Sequence, residues 1–245
     1  MESAVHRAVS VVRERYSEPL TLDDLADAAL VSKFYFLRVF TRVVGITPGR
    51  FLSVVRLAEA KRLLSDTGLT VVEISARVGY GSVGSFARRF TETVGMSPIQ
   101  YRRLEVDTAP LLDGGDVCRS DVGPHGSLLG CVSADEVSAG SYYIGVFNGP
   151  IFQGRPAAWT TLVGPGLFTL NRVPAGRWYV HAVARDTLGT GRGSVDGPAA
   201  DSAGPLQLAP GVTVRCPELT VRRPDWSRPP LLSVLPFLER PSPVG

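Results

Sequence analysis

The amino-acid sequence predicts a two-domain protein, in which an all-α domain of seven helices is followed by an antiparallel β-sandwich. An uneven distribution of glycine and proline, an internal repeat and a change of hydrophobic period predict this fold class. Residues 1–103 hold 7 Gly and 3 Pro, whereas residues 104–245 hold 19 Gly and 16 Pro. We therefore expect a helical domain over 1–103, a linker over 104–126, a β-sandwich over 127–222 and a Pro-rich tail over 223–245.

The overall composition excludes several classes of protein. The 245 residues are 44% hydrophobic and 20% charged, which suits one or two cores and excludes disorder of the whole chain. No apolar run approaches the roughly 18 residues of a membrane span, and the N-terminus lacks a signal sequence. We therefore expect a cytoplasmic protein without a membrane partner. Cys118, Cys131 and Cys216 are widely spaced and form no CxxC pair, which indicates reduced thiols.

Hydrophobic spacing and capping residues predict the first three helices. Before Tyr16, apolar residues recur at i, i+3, i+4 and i+7, namely Val5, Ala8, Val9 and Val12. Thr21 is the expected N-cap of a short second helix, and Ser32 is that of a third. The third helix has an apolar face formed by Phe36, Val39, Phe40 and Val43. Gly45 supplies its left-handed C-terminal end.

The helical domain contains an internal repeat. At an offset of 49 residues, Thr21 falls on Thr70. One inserted residue near Tyr80 raises the offset to 50. From there the matching pairs are Phe36 and Phe86, Arg38 and Arg88, Phe40 and Phe90, Thr41 and Thr91, Gly45 and Gly95, and Pro48 and Pro98. This pattern indicates a duplicated structural unit. Residues 48–65, between the copies, predict one long spacer helix that packs against both.

Each copy predicts a helix, a tight turn and a second helix, which is the helix-turn-helix arrangement. In such units the second helix enters the major groove of DNA, so the expected recognition helices span about residues 32–44 and 82–94. One spacer helix would let them reach successive grooves about 34 Å apart. Charge favours this function over a helical bundle with a solvated arginine face, because residues 1–103 carry 15 Lys/Arg against 10 Asp/Glu. We therefore predict double-stranded promoter or operator DNA as a partner, and nucleoid association when the protein is bound.

The outward faces of the two recognition helices provide the candidate DNA-binding residues. These are Lys33, Phe34, Leu37, Arg38, Thr41 and Arg42 on the first helix, and Val83, Gly84, Ser85, Ala87 and Arg88 on the second. Arg38 and Arg88 have the chemistry to contact guanine or phosphate. Leu37 or Val83 can contact a thymine methyl group. For Arg42 we expect phosphate contact or a solvated ion pair.

The stretches 32–64 and 71–103 together resemble the DNA-binding domain of the AraC/XylS family of transcription regulators. The most specific matches lie in the second copy, at Ile74, Gly79, Tyr80, Phe86, Arg88, Phe90, Gly95, Pro98, Tyr101 and Arg102. The resemblance covers the whole predicted helical domain and implies a sequence-specific transcription regulator. Leu37, Val83 and Gly84 depart from the polar residues frequent at such places. This departure leaves a second interpretation open, a protein-interaction adaptor whose helical domain has lost specific DNA binding.

The second half of the chain predicts a β-sandwich. Its β-rich runs are YYIGVFN, LFTL, RWYVHAVAR and VTVRCPELTV, separated by Gly-Pro, Pro-Ala-Gly and Ala-Pro-Gly turns. The segment GLFTLNRVPAGRWYVHAVARD resembles the transthyretin-like, or carboxypeptidase regulatory-like, sandwich. That resemblance implies a regulatory, ligand-binding or oligomerisation module. The partners to test for are a second copy of the chain, bound through the sandwich or the tail, and a small-molecule effector. We expect the tail to pack on the sandwich or on a second subunit.

Catalytic patterns are not recognisable in the sequence. His6, His125 and His181 lack metal-ligand spacing, and there is no GxSxG, P-loop or dinucleotide-binding motif. We therefore expect neither enzymatic activity nor a cofactor or metal site.

Overall fold

The computed structural model describes residues 2–103, 123–134, 140–185, 198–223 and 225–232. These residues divide into two compact units. The helical unit comprises 2–103 together with 225–232, and the β unit comprises the other described residues. Most of the predicted linker, the tail beyond residue 232 and Cys118 lie outside the described residues. The predicted fold class is confirmed, because an all-α unit precedes a β-sandwich.

Seven helices follow one another within residues 2–103. They are α1 (Glu2–Arg15), α2 (Leu22–Ala29), α3 (Lys33–Val44), α4 (Pro48–Asp66), α5 (Val71–Arg77), α6 (Val83–Val94) and α7 (Pro98–Arg103). The predicted recognition helices correspond to α3 and α6, and the predicted spacer helix corresponds to α4. Among the described residues, no helix combines the length and the apolar character needed to cross a membrane.

Paired capping interactions begin the first helix of each copy. The Thr21 hydroxyl accepts a hydrogen bond from the Asp24 N–H at 3.2 Å, and the Asp24 carboxylate accepts one from the Thr21 N–H at 2.7 Å. Thr70 and Glu73 form the same capping box, also at 3.2 and 2.7 Å. Each box satisfies two donors that a helix start leaves unpaired. Ser32 occupies the N-cap position of α3, but its side chain accepts no capping hydrogen bond, so that part of the prediction is wrong.

Aromatic rings fill the core of both copies. In the first copy, Phe40 lies between Phe36 of its own helix and Phe51 of α4, with ring centroids 5.4 and 5.7 Å away. In the second copy, the equivalent Phe90 packs against Tyr101 of α7 at 5.7 Å. These rings are buried, and their edge-on geometry adds to the free energy of burial. The internal repeat in the sequence is therefore also a repeat of the core.

The spacer helix α4 is connected to both copies. Its buried side chains include Phe51, Leu52, Val54, Leu57, Ala60, Leu63 and Leu64. Arg56 on the same helix donates hydrogen bonds to the backbone oxygens of Tyr16 and Glu18 at 2.6 and 2.7 Å. Its guanidinium carbon also lies 5.9 Å from the ring centroid of Tyr80, in the turn of the second copy. This helix therefore holds α3 and α6 in one rigid unit.

A C-terminal segment, Asp225–Leu232, belongs to the helical unit. The Trp226 ring packs edge-on against His6 of α1, with centroids 4.9 Å apart, and the Trp226 carbonyl oxygen accepts a hydrogen bond from Arg13 at 3.4 Å. Leu232 is fully buried. The expectation that the tail packs on the sandwich is therefore wrong for these residues, because they bury apolar surface with the helices instead, and packing on a second subunit stays a prediction.

The described part of the β unit contains eight strands in two sheets. The strands are β1 (His125–Ala134), β2 (Ser141–Phe147), β3 (Ala158–Val163), β4 (Gly166–Pro174), β5 (Gly176–Arg185), β6 (Ala200–Leu208), β7 (Thr213–Arg215) and β8 (Leu219–Val221). One sheet has the order β4-β1-β7, with β8 also paired to β1, and the other has the order β3-β2-β5-β6. The core between them contains Leu128, Tyr142, Ile144, Phe168, Leu170 and Val180.

Parallel pairing on β1 departs from the predicted all-antiparallel sandwich. Both β7 and β8 run parallel to β1, with Val214 opposite Leu128 and Leu219 opposite Val132. The two short strands lie one after the other along β1, which pairs antiparallel with β4. The predicted single run VTVRCPELTV is thus divided near Cys216, which is buried and free of disulfide bonds. Burial raises the pKa of the Cys216 thiol to about 11.

A second apolar cluster surrounds His181 on the other face of β5. The imidazole Nε2 lies 3.0 Å from the backbone oxygen of Gly149, and the ring packs edge-on against Phe147 and Phe152 at 5.4 and 5.6 Å. His181 is 4% exposed. Burial lowers its pKa from 6.5 to about 4, because the charged imidazolium would lose its hydration.

This buried histidine predicts acid sensitivity of the β unit. The unfolded chain binds a proton at His181 between pH 6.5 and about 4, where the folded chain does not. Stability should be complete above pH 6.5 and fall as the pH is lowered toward 4, by up to about 3 kcal/mol. Urea unfolding between pH 7 and pH 4 measures this loss. His181→Gln should show a smaller loss, and a variant as pH-dependent as the original protein would contradict the assignment.

Candidate DNA-binding surface

The turn before each recognition helix depends on one residue with left-handed backbone. In the first copy this residue is Leu30, with φ +57°, and its N–H donates to the Asp27 carbonyl oxygen at 2.9 Å. In the second copy Gly79 occupies the equivalent place, with φ +82°. A side chain makes this conformation unfavourable by roughly 1 kcal/mol. Leu30 gains little burial in return, since it is 79% exposed.

The turns direct α3 so that its predicted face reaches the surface. Lys33, Phe34, Leu37, Arg38 and Arg42 are exposed, and Thr41 is half-buried. Phe34 is 85% exposed and Leu37 is 36% exposed. The opposite face of α3 is buried at Phe36, Val39 and Phe40 as predicted, whereas Val43 is only half-buried and Val44 is buried.

The predicted face of α6 also reaches the surface, but with smaller side chains. Gly84, Ser85 and Arg88 are exposed, and Val83 and Ala87 are half-buried. The Ser82 hydroxyl caps the helix by accepting a hydrogen bond from the Ser85 N–H at 3.3 Å. The α6 face therefore presents a cation between side chains of little volume.

Equivalent positions on the two helices form one surface stripe each. We define the α3 stripe as Phe34, Leu37, Arg38 and Thr41, which are spaced i, i+3, i+4 and i+7 and so share one side of the helix. We define the α6 stripe as Gly84, Ala87, Arg88 and Thr91. The stripes contain the same arginine and threonine at an offset of 50 residues. They differ at the two remaining positions.

Weak local interactions orient the cations of both faces. Lys33 Nζ lies 2.8 Å from an Asp23 carboxylate oxygen, and Arg88 Nη1 lies 3.3 Å from a Glu92 oxygen. These ion pairs are exposed, and exposed pairs contribute little free energy because water screens them. Phosphate groups can therefore compete for the same cations. The first helix has Arg42 at the position that Glu92 occupies in the second, so its C-terminal half is the more basic.

Two residues that support the surface were not among the predicted site residues. Tyr35 is 37% exposed, and its ring centroid lies 5.8 Å from the guanidinium carbon of Arg38. Arg56 on α4 connects the loop between α1 and α2 to the turn of the second copy. The helical period places Tyr35 between the buried and exposed faces of α3, so spacing gives no clear signal for it. The contacts of Arg56 join distant parts of the sequence and leave no local pattern.

Comparisons with known proteins match the helical part of the chain. A family model described as a helix-turn-helix domain matches residues 25–104. The HTH-type transcriptional activator AarP of Providencia stuartii is 37% identical over 93 residues, which are 38% of this chain and 69% of AarP. The melibiose operon regulatory protein of Escherichia coli K12 is 32% identical over 100 residues, which are 41% of this chain and 33% of that protein. The chain thus spans about a third of the length of the melibiose regulator.

Among solved structures, the DNA-binding domain of AdpA, a global transcriptional factor determined in complex with a target DNA, aligns over 44% of this chain and 99% of its own. The sequence identity is 27% and the TM-score is 0.41.

The left-handed turn residues predict opposite effects of two substitutions. Leu30→Gly should stabilise the helical unit by roughly 1 kcal/mol, because glycine adopts positive φ without strain. Gly79→Ala should destabilise it, because the new Cβ would lie 2.5 Å from the Ser17 backbone oxygen. Urea unfolding of both variants measures the two changes. A loss of stability in Leu30→Gly would show that the Leu30 side chain contributes more by contact than its backbone conformation costs.

Proposed function

The chain belongs to the AraC/XylS family of helix-turn-helix transcription regulators, and from this premise we propose that it binds a specific duplex DNA site and regulates transcription there. The observation that supports the proposal is the pair of equivalent exposed stripes on α3 and α6, held by the single spacer helix α4. Two recognition helices fixed in one unit suit successive major grooves on one side of a duplex. The net charge of residues 1–103, 15 Lys/Arg against 10 Asp/Glu, favours a polyanion.

The exposed faces offer arginines for contact with bases and with the phosphate groups of DNA. Arg38 and Arg88 lie in the middle of their stripes, where a guanidinium can donate two hydrogen bonds to guanine O6 and N7. Arg42 lies one turn further along α3 and suits a phosphate contact. Such contacts release counterions from the DNA. The free energy gained by this release becomes smaller as the salt concentration rises, so binding weakens.

The β unit is the proposed regulatory module. Its sheets leave Val163 95% exposed and Leu167 73% exposed, and apolar side chains so exposed suit a protein contact. The candidate partners are a second copy of the chain and a small-molecule effector. We propose a binding role for the whole chain and no enzymatic one, in keeping with the regulators that it resembles.

Arginine substitutions test the proposed DNA contacts. The full chain is first used to select its preferred sites from a pool of random duplexes, and affinity is then measured by fluorescence anisotropy. Arg38→Ala or Arg88→Ala should weaken binding to a selected site by about 5- to 150-fold if the side chain contacts a base, and much less on unrelated DNA. Arg215→Ala, an exposed arginine on β7, removes the same charge from the β unit and should leave affinity unchanged.

Three results would change the conclusion. Equal losses on selected and unrelated DNA would assign the arginine to phosphate contact. Selection of no preferred sequence would contradict the proposed function and favour the protein-interaction adaptor. An affinity that does not fall as salt rises would contradict DNA binding through these cations.

A further inference from the structure

The two stripes have the same framework but different chemistry. At two positions the α3 stripe carries Phe34 and Leu37, where the α6 stripe carries Gly84 and Ala87. The arginine and threonine positions are identical in type. Within the two stripes, the recognition helices therefore differ only at these two positions, where α3 presents large apolar side chains.

Packing explains neither the large side chain at position 34 nor the absence of a side chain at position 84. Phe34 is 85% exposed, so its ring contributes little to the core. Gly84 lies in a helix without positive φ, and a Cβ added there would meet no atom within 4 Å. Packing therefore neither requires a ring at position 34 nor forbids a side chain at position 84. Large apolar side chains left in water at a basic surface indicate a partner that covers them.

The surroundings of Phe34 and Leu37 restrict the chemistry of that partner. Arg38 and Arg42, one turn apart, lie on the same side of α3 as Phe34, so the partner is anionic and also presents apolar groups. In the major groove of duplex DNA, the apolar group on the base edges is the C5 methyl of thymine. Phe34 is the second residue of α3, and the N-terminal residues of a recognition helix are those that contact base edges.

Resting on the proposed function, we propose that α3 selects thymine by its methyl group, through Phe34 and Leu37. At the equivalent places the α6 stripe has only Gly84 and Ala87, whose side chains extend much less far from the helix than Phe34 and Leu37. The DNA site is therefore asymmetric, with the stronger dependence on thymine methyl groups in the half bound by α3. Gly84 and Ala87 instead let the backbone of α6 approach the groove closely.

Replacement of thymine by deoxyuridine tests this assignment. Deoxyuridine removes the C5 methyl and keeps every base-pairing and groove hydrogen-bonding group. Sites selected by the full chain from random duplexes are resynthesised with deoxyuridine in one half at a time. We expect roughly fourfold weaker binding for each contacted methyl in one half of the site, and a smaller loss in the other half.

Variants then identify the side chains responsible. The double variant of Phe34→Ala and Leu37→Ala should bind thymine and deoxyuridine sites equally, and each single variant should lose part of the preference for thymine. Arg88→Ala is the matched control, because it weakens binding overall but should keep the preference for thymine. Unchanged thermal unfolding midpoints verify that the exposed substitutions leave the helical unit folded.

The outcomes separate this inference from the proposed function. Sequence-specific binding with equal affinity for thymine and deoxyuridine in both halves would overturn the inference and leave the proposed function intact. A thymine preference that persists in the double variant would also overturn it, because other residues would then contact the methyl. Failure to select any site would overturn both at the first step. The deoxyuridine comparison with the unsubstituted chain is decisive even if a variant fails to fold.

Discussion

Burial of α4 between the two helix-turn-helix copies is the constraint on which the helical unit depends. Phe51 of α4 packs against Phe40 of the first copy, while Arg56 and Ser53 reach Tyr80 of the second. A helix of 19 residues is a rigid rod about 28 Å long. Since both copies pack on this rod, the spacing of α3 and α6 is set before any DNA is bound. A fixed spacing lowers the ordering cost of binding a duplex whose grooves are also regularly spaced.

The two copies agree in their interiors and differ on their surfaces. Phe36 and Phe86 occupy equivalent buried places, because both copies must fill the same space against the same spacer helix. The exposed stripes are free of that requirement, so the position of Phe34 in the first copy is occupied by Gly84 in the second. The turn residue also differs. Leu30 and Gly79 both have positive φ, a conformation that glycine adopts more easily than leucine. Packing therefore fixes the framework, and the chemistry of each surface is left to its partner.

The order of units along the chain connects the β unit to the helical unit at both ends. The C-terminal segment Asp225–Leu232 follows the last strand, yet it packs among the helices through Trp226 and Leu232. The β unit is therefore an insertion, in sequence, between two parts of the helical unit. The β unit is thus joined to the helical unit by two covalent connections, where a terminal domain would have one.

The sequence by itself determined the helices, the repeat and the exposed faces of α3 and α6, because these features depend on neighbours three or four residues apart. The capping box at Thr21 and the face containing Arg38 follow from such local spacing. Only the tertiary structure decided the parallel pairing on β1, the burial of His181 and the return of the C-terminal segment. Each of these depends on residues far apart in the chain, as with Arg13 and Trp226, which are 213 positions apart. Local spacing carries no signal for such contacts, since they form only when the whole core is assembled.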